Sequence, residues 1–239
     1  VKQIAVRNLY DQVIQAIGRM IVSGEIKPGE LLPREEVLAQ RMAVSRTALR
    51  EGLKVLGSKG LIETRQKTGT RVREPRHWNQ LDGDILAWRC ASMPTEDFVE
   101  KLVEMREIIE PAAAAAAARR RSPEQLAKIK AAYEAMAAAM DQDAWAKADL
   151  DFHESVLDAT NNELMASLFS VIDAALGAYF LLSAQTAADF KYSLPRHFDV
   201  YDAIRLKRPE SAREAMLGMI EDSRANIKKG RGRTRKSAR

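Results

Sequence analysis

Asp149 and His153 stand four residues apart, so on a helix they share one face. Trp145, Phe152 and Val156 fall on that face too, which turns the pair toward a packed interior. His197 repeats the arrangement, because Val200, Tyr201 and Ile204 continue its face at i+3, i+4 and i+7. Two of the chain's three histidines therefore face inward from different helices. Burying a carboxylate or an imidazole is costly unless it finds a partner. A carboxylate and two imidazoles converging inside a helical bundle form a site for zinc or another divalent ion. The same residues admit a plainer arrangement, an internal Asp–His hydrogen bond with the second histidine satisfied elsewhere.

The elements that must carry these residues are helices. From Thr95 onward no strand pattern occurs, and the apolar periodicity predicts helices over 96–120, 123–140, 143–160, 162–183, 194–207 and 209–228. Pro111 is expected to kink or split the first of them, and the alanines at 112–118 permit close approach of a neighbour. An antiparallel all-α bundle over 95–228 is the economical result. Beyond it, residues 228–239 carry 7 Lys+Arg and no acid. That basic tail (229–239 as a segment) is expected to be disordered, adding nonspecific DNA affinity or only solvated charge.

The front of the chain has a different design. Residues 1–75 carry 14 Lys+Arg against 8 Asp+Glu, whereas residues 76–227 carry 17 against 25. A basic head on an acidic body means that only one part seeks polyanions. Within the head, Leu9–Val22 places Val13, Ile17, Met20 and Ile21 on one helical face, and Lys27-Pro28-Gly29 reads as a turn. Pro33 suits the first position of a short second helix, with Glu35 and Glu36 complementing its positive end and Val37 and Leu38 buried. After a two-residue turn at Ala43 and Val44, Ser45 is a good N-cap for a third helix. Leu49, Leu53 and Leu56 form its apolar stripe, and Arg46, Arg50 and Lys54 form a cationic one. Ser45, Arg46 and Thr47 sit where free amides also favour a phosphate. The runs LIETR and TRVR flank QKTG, which predicts a hairpin with Gln66, Lys67, Thr68 and Gly69 at its tip. Helix, turn, helix and basic hairpin make a winged helix-turn-helix over residues 1–75. A solvated basic face on a small helical domain would lack this combination of cap, stripe and wing.

The stretch LPREEVLAQRMAVSRTALREGLKVLGSKGLI resembles the DNA-binding domain of GntR-family transcription regulators, and the downstream chain is similar to the FadR subfamily. The resemblance implies that Arg46, Thr47 and Arg50 contact an operator, with Gln66, Lys67, Thr68 and Gly69 reaching the adjacent minor groove. Many relatives carry Arg where this chain has Glu36, and Arg34 is the residue placed to supply the contact instead. In the segment 76–94, expected as a linker, Trp78, Leu81, Ile85 and Trp88 recur at near-helical spacing, so it is expected to pack. Its pattern W-N-x-L-D-x-D-I-L-x-W resembles sugar-acid-responsive regulators, galactonate-responsive ones among them; aromatic anchors holding one domain on the other account for it equally. His77 there has no visible partner and reads as surface.

For the helical half the resemblance implies an effector-binding, dimerising domain in which one Asp and three His hold a metal. Asp149, His153 and His197 match three of those positions, and Met219 stands at the fourth. A thioether is a poor ligand for zinc or nickel. Either three ligands hold the ion with water and effector completing the shell, or the effector binds these side chains directly. Arg106, in EMREIIEPA, resembles an arginine that faces the ligand in relatives, and a guanidinium matches a carboxylate in a two-pronged geometry. The alternative is an intrahelical pair with Glu110.

Two symmetric copies are implied, because one winged helix contacts few bases while a homodimer reads a palindrome. No run approaches the ~18 apolar residues of a membrane span, and the first residues lack the apolar core of a secretory leader. A chain entering at Val1 is expected to be trimmed or partial. Cys90 is the single cysteine, so no disulfide framework arises within one chain, and a reducing cytoplasm fits. The reading is a DNA-binding repressor of a catabolic operon, partnered by operator DNA and a small carboxylate effector such as a sugar acid. A metal-dependent enzyme of sugar-acid metabolism fused to a DNA-binding domain is the alternative, with no positioned general base or nucleophile motif to support it. A nucleoid-coating protein relying on the basic tail is a third.

Overall fold

The computed structural model describes residues 2–65, 68–92, 96–183 and 191–237, with side chains over 9–65, 68–92, 97–177 and 191–225. It is mainly α, in two compact units, Val1–Pro94 and Thr95–Arg239.

The first unit contains α1 (Lys2–Val22), α2 (Glu35–Arg41), α3 (Arg46–Ser58), the strands β1 (Ile62–Arg65) and β2 (Gly69–Val72), and α4 (Gly83–Ala91). The hairpin is antiparallel, with Ile62 opposite Val72 and Arg65 opposite Gly69. One core joins Val13, Ile17 and Ile21 of α1 to Leu49, Leu53 and Leu56 of α3 and to Ile62 and Val72 of the wing. Ser45 caps α3 as expected, its Oγ accepting from the Ala48 amide at 3.1 Å. The tight turn before it is made possible by Ala43 in the left-handed region, at φ 53°. Two details of the second helix differ from expectation. α2 starts at Glu35, so Pro33 lies outside it, and Val37 is exposed while Ala39 turns inward. Over so short a helix the apolar residue nearest the core, not the largest, sets the face.

The segment 76–94, expected as a linker that packs, folds onto this first unit. Ile85 and Trp88 of α4 enter its core, and Trp78 packs against it with Nε1 donating to the Arg73 carbonyl at 3.0 Å. Leu81 stays exposed. Trp88 lies over Gly18 of α1 and its Nε1 donates to Gln15 Oε1 at 2.8 Å. Lys59, past the end of α3, pairs with Asp82 at 2.8 Å and Asp84 at 2.7 Å. A Cβ on Gly18 would come 2.3 Å from the Trp88 ring. Gly18→Ala is therefore expected to destabilise this unit by about 1–3 kcal/mol, as overpacking does. A fall in melting temperature checks it; an unchanged one would mean that α4 does not dock here.

The second unit is helical throughout its described residues: α5 (Glu96–Arg120), α6 (Pro123–Ala138), α7 (Gln142–Asp158), α8 (Glu163–Ala166), α9 (Phe169–Ser183), α10 (Leu194–Arg205) and α11 (Pro209–Ser237). α5 is central, packing against α7, α9, α10 and α11. Its alanines 113–118 are all buried, which is what lets neighbours approach. α5 is not split at Pro111 but runs through it, with Glu110 and Ala113 buried on either side. The predicted helix over 162–183 is divided into α8 and α9; the Ser167 hydroxyl turns back onto the Leu164 carbonyl at 2.8 Å and competes with the helix there. Within the described residues the basic tail, expected to be disordered, is helical: α11 continues to Ser237, consistent with the good helix propensity of Lys and Arg. A capping box at Ser122 and Gln125 starts α6, and Asp141 caps α7.

Candidate functional site

Three helices of the second unit carry a buried polar cluster. α5 contributes Arg106 and Glu110, α7 contributes Asp149 and His153, and α10 contributes His197, none of them more than 5% exposed. The apolar faces that bury α7 and α10 carry these side chains inward, since each lies on the same stripe as Phe152, Val156, Val200 or Ile204. Phe152 stands edge-on to both imidazoles and Trp145 edge-on to His197, which keeps the cluster dry.

His197 Nδ1 lies 2.9 Å from the Ser193 carbonyl. A carbonyl only accepts, so Nδ1 carries the hydrogen and, in the neutral ring, Nε2 presents a lone pair. Nε2 faces Asp149 Oδ1 at 2.9 Å. Two acceptors at that distance require a positive charge, either a second proton on the ring or a cation beside it. His153 directs Nε2 toward Asp149 Oδ2 at 4.0 Å, while its Nδ1 lies 2.5 Å from Glu110 Oε2. Asp149 Oδ2, His153 Nδ1 and His197 Nε2 are buried without a hydrogen bond of proper geometry, although charged atoms stand close to each. One ligand atom from each of Asp149, His153 and His197 lies within 4.8 Å of the other two. Metal–ligand bonds of about 2.0–2.2 Å span such a triangle after small side-chain adjustment. The residues present fit a divalent ion with three protein ligands and an open position.

Electrostatics agree with a cluster built to stay ionised. Burial pushes Glu110 up, but Arg106 and His153 outweigh it and hold the carboxyl at about 2. Burial likewise opposes ionisation of Asp149, and His197, His153 and Arg106 together bring it below the ordinary carboxylate range. Arg106 Nε donates to Glu110 Oε1, and Nη2 lies 3.4 Å from Oε2. Arg106 thus forms the intrahelical pair and sits in the cluster as well. Glu110, read from sequence only as that pair's other half, also touches a candidate ligand across helices. The available signal is its place directly before Pro111 and the alanine run, where it is the last charged residue before a long apolar stretch of α5. Met219 is buried on α11, which packs against α5 and α10.

On the first unit, Arg46, Thr47, Arg50 and Lys54 are exposed along α3, and Arg34 is exposed just before α2. Thr68 and Gly69 are exposed at the wing, where Gly69 adopts φ +88°; Gln66 and Lys67 lie outside the described residues. The cationic stripe is not free. Arg46 pairs with Glu36, Arg50 with Glu35 and Lys54 with Glu51, at 2.7, 2.7 and 2.8 Å. His77 is exposed.

Residues 9–72 match the gntR family of bacterial regulatory proteins, and residues 101–222 match the FCD domain. The chain belongs to the GntR family. The galactonate operon transcriptional repressor of Escherichia coli K12 is 33% identical over 223 residues, 92% of this chain and 97% of that one. The regulator LutR of Bacillus subtilis 168 is 32% identical over 209 residues, covering 84% and 93%. Among solved structures, that of Lar, which controls the agr system of Listeria monocytogenes, aligns with a TM-score of 0.66 at 19% identity over 92% of this chain and 96% of that one. That likeness bears on the fold. This GntR protein is a transcriptional regulator of the GntR/FCD type, not an enzyme, and its winged helix serves DNA binding. No helix among its described residues is long and apolar enough to cross a membrane.

Proposed function

We propose that this GntR regulator is a cytoplasmic, homodimeric repressor of a catabolic operon, released from its operator by a small carboxylate such as a sugar acid. Arg46, Thr47 and Arg50 of α3 enter the major groove, with Ser45, Lys54 and Arg34 on flanking phosphates and the wing residues Gln66, Lys67, Thr68 and Gly69 in the adjacent minor groove. The effector occupies the helical unit at Arg106, Asp149, His153 and His197. The name of the galactonate operon repressor, the relative 33% identical to this chain, supports the substrate class.

The observation that carries the reading is His197 Nε2 set 2.9 Å from Asp149 Oδ1 in a buried cluster, a contact that needs a positive charge, which a divalent ion held with His153 would supply in place of a second ring proton. Asp149, His153 and His197 would hold a divalent ion, zinc included. When bound, that ion supplies a Lewis-acid anchor for an effector oxygen. Arg106 and Glu110 keep the wall beside it charged. Selective binding to one arrangement of the dimer then shifts the population away from the one that fits both half-sites. A thermal-shift screen of aldonic and uronic acids tests the assignment, since ligands selective for the folded state raise the melting temperature, by about 2.7 kcal/mol of stabilisation at 100 times the Kd. At least one acid is expected to raise it in the presence of divalent metal. A flat response across the whole panel contradicts the proposed effector class.

A further inference from the structure

Two acidic residues of α2 reach across the turn onto two arginines of α3. Glu36 Oε1 accepts from Arg46 Nη2 at 2.7 Å, and Glu35 Oε2 accepts from Arg50 Nε at 2.7 Å. The Arg46 and Glu36 side chains are 65% and 68% exposed. Pairs so exposed contribute little to folding, because water screens them and ordering two long side chains costs entropy. Complementing the helix dipole accounts for acids in the first turn of α2. It does not account for their reach, over 10 and 15 residues of sequence, onto cations of the neighbouring helix.

We propose that Glu36 is a specificity-determining residue of the DNA interface, holding Arg46 so that its guanidinium reads a guanine edge in preference to a phosphate. The inference rests on the reading of α3 as the groove helix. A guanidinium presents five N–H donors in a planar fork. The contact with Glu36 engages one of the two Nη2 hydrogens and leaves the other, beside an Nη1 hydrogen, as a fork for the O6 and N7 acceptors of guanine. A phosphate, by contrast, attracts net charge, and the Arg–Glu pair has none to offer. It therefore gains little from the counterion release that drives sequence-independent binding. The carboxylate also repels the DNA backbone directly, so the wrong partner is penalised, as selective interfaces require. Glu35 repeats the device on Arg50 through Nε, leaving both terminal nitrogens free to meet a base.

The test uses the full chain and two DNA probes: a duplex library with a randomised central window, and one fixed duplex lacking any selected site. Glu36→Gln keeps the side chain's size and removes its charge. Glu25→Gln, on the exposed connection between α1 and α2, removes the same charge elsewhere. Glu36→Gln is expected to bind the unselected duplex severalfold more tightly and to steepen its log–log salt dependence by about 0.9, the mark of one added phosphate contact. The guanine preference at one position per half-site should fall by about ten-fold. Glu25→Gln should change neither the slope nor the preference, and the effect of Glu36→Gln should vanish in combination with Arg46→Ala. Equal tightening on every sequence, or an effect that persists without Arg46, overturns the proposal. So does loss of a cytosine preference in place of guanine, since Glu36 would then read a base itself. If Arg46→Ala alone leaves site selection untouched, the groove-helix reading falls together with the proposal.

Discussion

Arg50→Ala lowers operator affinity by about 10–100-fold per half-site at fixed salt, the worth of a bidentate contact to a base, and leaves the fold in place. The Arg50 side chain is 65% exposed on α3 and its ion pair is with the partly exposed Glu35, so the core does not depend on it. That pairing raises the guanidinium further above its ordinary range, and Arg50 stays charged under any condition in which DNA binding is measured. In a symmetric pair of copies each half-site loses its contact, so the total effect compounds. Unaltered melting temperature and unaltered response to sugar acids should accompany the loss. Operator affinity equal to that of the parent chain would show that a different face of the winged helix meets the groove.

Asp149→Asn is expected to lower divalent-ion affinity by at least about 100-fold, since loss of mere outer partners already costs 10–100-fold. Asp149 is the carboxylate shared by the two imidazoles, 2.9 Å from His197 Nε2 and 4.0 Å from His153 Nε2. The substitution keeps the shape and deletes the charge that both rings face. Metal content of the purified protein should drop from about one ion per chain toward none. Chelator should lower the melting temperature of the parent chain but hardly move that of the variant. Retention of the ion by Asp149→Asn would place the metal elsewhere or make the cluster a hydrogen-bonded one.

Much of this architecture is legible along the chain because it is locally encoded. Ser45 with the stripe of Leu49, Leu53 and Leu56 specifies a capped amphipathic helix, and α3 is built on it. The bounds of α5, Glu96–Arg120, match the helix predicted over 96–120, with Pro111 inside it. The inward faces of α7 and α10 are written in the residues flanking His153 and His197, and those histidines are buried accordingly. What periodicity does not reveal is which neighbour lies opposite. Asp149 and His153 share a turn, yet the closer partner of Asp149 is His197 on another helix. Glu110 meeting His153, Glu36 meeting Arg46 and Trp88 lying on Gly18 are likewise contacts between elements, invisible to any single helical wheel. Val37, expected inside on the short helix α2, is exposed while Ala39 turns inward, and Leu81, grouped by spacing with Trp78, Ile85 and Trp88, falls in the turn before α4 and so leaves their face.

The central claim is that the buried Asp149–His153–His197 cluster governs whether the winged helices hold DNA. Its most direct test is dissociation from an operator duplex, selected by the parent protein from the randomised library, during titration with the aldonic and uronic acid panel plus divalent metal. The parent chain should release the duplex with at least one acid, and Asp149→Asn should bind the duplex with parental affinity yet fail to release it. Release by the variant at the same acid concentration would contradict the account.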